Sequence, residues 1–140
     1  DNVSYDPVNH ENMVRVRQEK VDLVANYIPD VEVDGSKEAD LLIVGWGGTY
    51  GSLLSAIKQL NIIGVEIALA HFNYINPLPK NTEELLTKFK NIIVCELNNG
   101  QFAKVLRINF SGFEFLQFNK IQGLPFGNNE LIDEFKKLVK

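Results

Sequence analysis

Four glycines fall within seven positions in the run Leu41-Leu-Ile-Val-Gly-Trp-Gly-Gly-Thr-Tyr-Gly51. Aliphatic residues from Leu41 to Val44 precede them, and a helical pattern with Leu53, Leu54, Ile57 and Leu60 follows. Glycine lets a backbone turn sharply and come close to a neighbour. The free N–H groups and dipole at a helix N-terminus attract anions. Strand, glycine-rich turn and helix together form an arrangement able to cradle a phosphate, and Gly47, Gly48, Thr49, Tyr50 and Gly51 would hold it. The spacing, Gly45-x-Gly47-Gly48-x-x-Gly51, misses the dinucleotide fingerprint, which needs a glycine where Tyr50 stands. A ribose-binding acid is also missing after the next strand, where His71-Phe72-Asn73 stands instead. A tight turn packed against neighbouring protein explains the same glycines, and both readings stay open from the residues alone.

Glu96 follows an aliphatic run directly and faces Asn98 and Gln101 across a short loop. A carboxylate there can accept from the N–H groups of the next helix or reach a partner subunit. His71 has no second histidine, cysteine or aspartate at metal-ligand spacing, so it reads as a hydrogen-bonded loop histidine. His10 lies on the first helix and reads as solvated. Cys95, the only cysteine, sits in Ile92-Ile-Val-Cys95 and reads as a small buried side chain. No Gly-x-Ser-x-Gly or Cys-x-x-Cys pattern supports nucleophilic or iron–sulfur chemistry within these residues. A receiver domain would need an aspartate after its third strand and a paired acidic cluster, and neither stands here. No catalytic residue and no metal ligand is assigned.

The elements that position these residues follow from periodicity. A helix is expected from Pro7 to Ile28, capped by Asp6, with Val14, Val21, Val24 and Ile28 on one face against the domain surface. Val31 to Val33 alternates like a short strand before an Asp34-Gly35 turn. Further strands are expected at Leu41–Val44, Val65–Ala70, Asn91–Leu97 and Phe113–Phe118, the last with Phe113, Phe115 and Leu116 packing inward. Pro77 and Pro79 keep the Asn73–Pro79 segment irregular. Asn81 with Glu84 resembles a capping box for a short helix bearing Leu85, Leu86 and Phe89. A helix with Phe102, Val105 and Leu106 follows Asn98-Asn-Gly100, and Leu131, Ile132, Phe135, Leu138 and Val139 form one face of a final helix. Strand–helix alternation repeated in this way predicts an α/β three-layer sandwich on a mostly parallel sheet. The loops Gly45–Gly51, His71–Lys80, Glu96–Gln101 and Asn119–Gly127 then share the carboxyl edge, where ligand crevices form.

Size and charge narrow the function. The 140 residues suit one domain with its own core. A net charge of −4 and no basic stripe argue against nucleic-acid binding. No apolar run approaches the roughly 20 residues that span a membrane, and no signal-peptide pattern opens the sequence. With a single cysteine, a cytoplasmic location is expected. Asp1 in place of a methionine suggests that residues 1–140 are one domain of a longer polypeptide.

Ile43-Val-Gly-Trp-Gly-Gly-Thr-Tyr-Gly51, Tyr74-Ile-Asn-Pro-Leu-Pro79 and Glu96-Leu-Asn-Asn-Gly-Gln101 resemble the C-terminal region of the alpha subunit of 2-oxoacid:ferredoxin oxidoreductases, most closely the 2-oxoglutarate type. Asn119-Lys-Ile-Gln-Gly-Leu-Pro-Phe126 and the helix from Asp6-Pro7 through Arg17 fit the same pattern, so the resemblance covers nearly the whole chain. Gly48 departs from it, since the family commonly has serine there; Thr49 is the nearest hydroxyl. The resemblance implies a fold like the C-terminal domain of transketolase, a five-stranded sheet with its first strand antiparallel. It implies a parent enzyme that decarboxylates a 2-oxoacid on thiamine diphosphate and magnesium, passes electrons through iron–sulfur clusters to ferredoxin, and forms an acyl-CoA. Those cofactors are expected in other domains or subunits. The domain's expected role is contact with the rest of its own chain and with other subunits through Thr49, Tyr50, Asn76, Pro77, Glu96, Asn98, Gln101 and Lys120. Two alternatives remain: a module binding the phosphate of CoA or a nucleotide, and the equivalent domain of another thiamine diphosphate enzyme, such as a 2-oxoacid dehydrogenase beta subunit.

Overall fold

The computed structural model describes residues 3–139, so the expectation drawn from Asp1 lies outside the described residues. The elements run α1 (Pro7–Val24), β1 (Val33–Gly35), β2 (Leu41–Trp46), a 3-10 turn (Gly47–Thr49), α2 (Tyr50–Ile62), β3 (Ile67–Phe72), α3 (Thr82–Leu86), β4 (Asn91–Glu96), α4 (Gln101–Asn109), β5 (Leu116–Asn119) and α5 (Asn128–Leu138). The strands form one five-stranded sheet in the order β1-β3-β2-β4-β5. β1 is antiparallel to β3, and every other pairing is parallel. This is the expected sandwich with its first strand reversed.

Alternation along β2 separates two cores. Leu42 and Val44 face α3 and α4, packing with Phe72, Leu86, Phe102 and Leu106. Leu41 and Ile43 face α2 and α5, packing with Leu53, Ile57, Leu60, Leu131 and Phe135. A strand covered on both faces must be apolar at every position, which is why Leu41 to Val44 reads as a continuous aliphatic run. Each such side chain contributes about 1.5–3 kcal/mol on burial.

Several boundaries differ from expectation for identifiable reasons. α1 has its Asp6 cap, which accepts from Val8 N at 3.0 Å. The helix stops at Val24, because Pro29 disfavours helical geometry at Ile28 and the chain leaves through a turn over Ala25–Tyr27. No residue of α1 is buried, so the expected packing of its valine face on the domain surface is not found. β1 lies two residues later than expected because the Asn81 side-chain amide takes both backbone groups of Val31, accepting at 3.0 Å and donating at 2.9 Å. The expected capping box at Asn81 is therefore absent; Glu84 instead pairs with Lys88. Gly35 belongs to the strand, at φ 88, where a Cβ would lie 2.5 Å from Ile67 O.

β3 starts at Ile67 rather than Val65, with both backbone groups of Ile67 held by the Asn61 amide, and it runs through His71. β5 begins only at Leu116, because Arg107 donates to Phe115 O at 2.6 Å and withdraws that carbonyl from the ladder. Phe115 is still buried in the core under α3 and α4, and Phe113 packs against it. Leu116 packs on the opposite face.

Candidate functional site

Because β2, β3, β4 and β5 run parallel, their outgoing loops meet along one rim at the carboxyl edge. Chain leaving β2 goes outward to β3, while chain leaving β4 goes the other way to β5. The gap between β2 and β4 is thus the topological switch point, where open α/β sheets bind ligands.

Here that gap is filled by the chain itself. Glu96, at the end of β4, has no exposed surface. Its Oε1 accepts from Phe102 N at 2.7 Å and from the Trp46 indole Nε1 at 3.0 Å, and its Oε2 accepts from Ala103 N at 3.0 Å. A buried carboxylate is stable only when its oxygens are met in this way. It satisfies otherwise orphaned N–H groups of α4 and favours the positive end of the helix dipole. Trp46 packs its ring 6.1 Å from Phe102, closing the gap from the β2 side. Of the two roles open to Glu96, the helix-capping one is what the geometry contains; a direct contact with a partner is not available to a fully buried group.

The other expected contact residues divide in the same way. Thr49 is buried and its hydroxyl donates to Trp46 O at 2.9 Å, so it locks the 3-10 turn instead of facing outward. Lys120 is drawn inward, donating to Glu130 at 2.8 Å and to Pro125 O at 2.9 Å. That pair holds the Glu130 carboxyl below its ordinary range, chiefly through the Lys120 hydrogen bond. Asn98 is half-buried and its Oδ1 accepts from Gln101 N at 2.9 Å, capping α4 from its loop. Tyr50, Asn76 and Gln101 are exposed, Pro77, Asn98 and Lys120 are half-buried, and Thr49 and Glu96 are buried, shaping the rim beneath the others. Cys95 is fully buried, and burial raises its thiol pKa far above the ordinary value.

Beside the filled gap, a cleft of about 650 Å³ opens over the ends of β1 and β3. Asp30, Glu32, Asp34, Tyr50, His71 and Tyr74 line it. The Tyr50 hydroxyl donates to Asp34 Oδ2 at 3.1 Å, and that bond raises the phenol pKa. His71 bonds Gly47 O through Nε2 at 3.1 Å, and its ring lies 5.0 Å from that of Tyr50. Burial lowers the His71 pKa, against smaller opposing effects of Gly47, Asn73 and Asp34. Residue-by-residue reading passed over Trp46 and the cleft acids. The alternation Asp30-x-Glu32-x-Asp34, which sends three carboxylates to one side of an extended chain, was the signal available.

The glycine-rich turn leads into α2 beside the acid-lined cleft. Gly47, Gly48 and Gly51 do leave open space where a side chain would stand. Tyr50, in the first turn of α2, reaches out with its hydroxyl to Asp34. Among the described residues, no group of three or more His, Cys, Asp or Glu is placed to hold a metal, and no helix is long and apolar enough to cross a membrane.

No family model matches the chain. It is 37% identical over 139 residues to the 2-oxoglutarate oxidoreductase subunit KorA of Mycobacterium tuberculosis, covering 99% of this chain and 20% of that protein. It is 32% identical over 146 residues to the alpha subunit of 2-oxoacid:ferredoxin oxidoreductase 1 of Aeropyrum pernix, covering 99% and 23%. A solved structure of the 2-oxoglutarate:ferredoxin oxidoreductase from Magnetococcus marinus, with 2-oxoglutarate, coenzyme A and succinyl-CoA bound, superposes at TM-score 0.87 and 28% identity, over 98% of this chain and 24% of that one. A split-gene transketolase superposes at TM-score 0.57 and 14% identity over 80% of this chain and 42% of that one, a likeness of fold alone. The chain thus spans about a fifth of the length of the curated relatives it matches.

Proposed function

We propose, for a chain homologous along nearly its whole length to part of the alpha subunits of 2-oxoacid:ferredoxin oxidoreductases, that it acts as the transketolase-C-terminal-like domain of such a subunit and is inert alone. In the assembled enzyme a 2-oxoacid of the 2-oxoglutarate type is oxidatively decarboxylated to its acyl-CoA, and ferredoxin accepts the electrons. Thiamine diphosphate, magnesium and iron–sulfur clusters belong to other domains or subunits of that complex. These residues supply a rigid rim that packs against the rest of the chain and against other subunits in the cytoplasm, without contacting nucleic acid or membrane.

The observation that carries this reading is the switch-point gap closed by Trp46 and Glu96. The place where a sheet of this kind would hold a ligand is occupied by its own side chains. Around that plug the rim presents Tyr50, Tyr74, Leu97, Ile121 and Leu124, large apolar or aromatic residues 37% to 67% exposed. A ring of such residues surrounding a filled crevice suits protein contact better than substrate binding. Assaying the purified segment for 2-oxoacid-dependent dye reduction tests the proposal. No turnover is expected, and measurable turnover without other chains would overturn the claim that it is inert.

A further inference from the structure

Every residue of α1 is exposed, yet the helix is two-sided. At about 100° per residue, Met13, Val14, Val16, Val21, Leu23 and Val24 fall within one half of its circumference. These six side chains are 38% to 58% exposed, so nothing among the described residues covers them. The opposite half carries Glu11, Asn12, Arg15, Gln18, Glu19 and Asp22. Its groups bond one another along the helix, Arg15 to Asn12 and Glu19, and Gln18 to Asp22. All the acids of the helix lie on that polar half, whereas the apolar half carries charge of one sign only, from Arg17 and Lys20. An isolated helix of this length is marginal in water and takes its stability from packing its apolar face.

We infer that the apolar half of α1 docks on the part of its own alpha subunit outside these residues, on an apolar surface bordered by carboxylates. The inference rests on the reading of the chain as one domain of such a subunit, and it names the face that makes the intrachain contact. The likeness to the Magnetococcus marinus enzyme spans 98% of this chain, and α1 is 18 of the 140 residues, so the helix is part of what superposes. These residues match only 24% of that chain and 20% of the Mycobacterium tuberculosis subunit, which leaves most of the subunit to receive the helix. Size favours the same chain over a separate one. The helix is about 27 Å long and about 10 Å wide, a footprint of about 270 Å² against the roughly 800 Å² a side of a stable interface between separate proteins. So small a contact persists when both sides belong to one polypeptide, because tethering raises their effective concentration. The sandwich already fixes the C-terminal end of the helix, where the chain turns over Ala25–Tyr27 and Lys80 donates to the Asn26 side-chain oxygen. Arg17 and Lys20, without an acid on their own half, set the sign of the surface that receives them.

Hydrogen–deuterium exchange of the α1 amides tests this in the full-length alpha subunit, free and assembled in the oxidoreductase complex. An uncovered helix of this length exchanges within about tenfold of an unstructured chain. Docked, its amides are expected to be slowed about a hundredfold or more, in the free subunit as in the complex. Val14→Ser with Val21→Ser and Val24→Ser is expected to remove about tenfold or more of that protection. Glu11→Ser with Asn12→Ser and Gln18→Ser, on the polar half, is expected to keep it within about threefold. The β2 amides report an intact sandwich and are expected to be unchanged in both variants. Unprotected α1 amides in the native subunit and complex alike would overturn the inference without any variant. Protection found only in the complex would assign the face to another subunit, against the inference. Protection that rises with the concentration of the free subunit would assign it to a second copy, again against it. Equal losses in the two variants would show that the apolar half is not the contact. Dye reduction by the same complex separates this inference from the reading beneath it. Unprotected α1 in a complex that oxidises a 2-oxoacid overturns the docking alone, whereas a complex without that activity would remove the domain reading and the inference with it.

Discussion

Glu96 carries more of the rim's geometry than any exposed residue does. Its two oxygens answer three N–H groups, from Trp46, Phe102 and Ala103, inside a site closed to water. Leaving a buried donor unanswered costs about 1–3 kcal/mol. Glu96→Ala is therefore expected to lose roughly 3–5 kcal/mol after partial relaxation, and Glu96→Gln, which keeps one acceptor oxygen, a smaller part of it. Urea unfolding followed by the fluorescence of Trp46, the only tryptophan, checks both and also reports whether the indole has lost its anchor. A loss no larger than that of a surface substitution would show that the plug is not what holds the rim. The bond from Glu96 to α4 was legible in the sequence, because a carboxylate at a strand end just before a helix has its donors close by. The bond from Trp46 was not: its partner lies fifty positions away, and only the pairing of β2 with β4 brings the two together.

Whole elements follow the same division between local and distant causes. β2 and β4 were legible because a strand buried on both faces writes itself as an aliphatic run. β1 was misplaced by two residues, because its register is set by the Asn81 amide and by Gly35 passing close under Ile67 O, neither of which its own residues announce. α1 was drawn correctly as a capped helix, but its valine stripe suggested packing that the described residues do not provide. Val14, Val21 and Val24 are 52%, 38% and 47% exposed. The combined variant Val14→Ser, Val21→Ser and Val24→Ser is expected to change unfolding of the sheet by no more than about 0.5 kcal/mol per site. Leu42→Ala, in the fully buried stretch of β2, is expected to lose about 2–5 kcal/mol. Denaturation curves of the two side by side make the comparison. A core-sized loss in the serine variant would mean that α1 is packed on this body after all.

At the scale of the molecule, charge bears on whether the rim meets protein or phosphate. The common rim was foreseeable, since parallel strands must send their loops to one edge; the sign of its field was not, because Asp30, Glu32 and Asp34 gather there only through the antiparallel return of β1. The free end of a helix such as α2 stabilises an anion by about 0.3–1 kcal/mol near the surface. Three carboxylates line the adjoining cleft and oppose an anion there, in a way that salt screens. Calorimetry of the segment against CoA and adenine nucleotides is therefore expected to show no heat of binding at millimolar ligand. A saturable signal, lost when Gly48 or Gly51 is replaced by a bulkier residue, would return the glycine-rich turn to the role of a phosphate cradle. If Asp34→Asn alone produced such a signal, the turn would be shown competent for anions and silenced by its acidic neighbour.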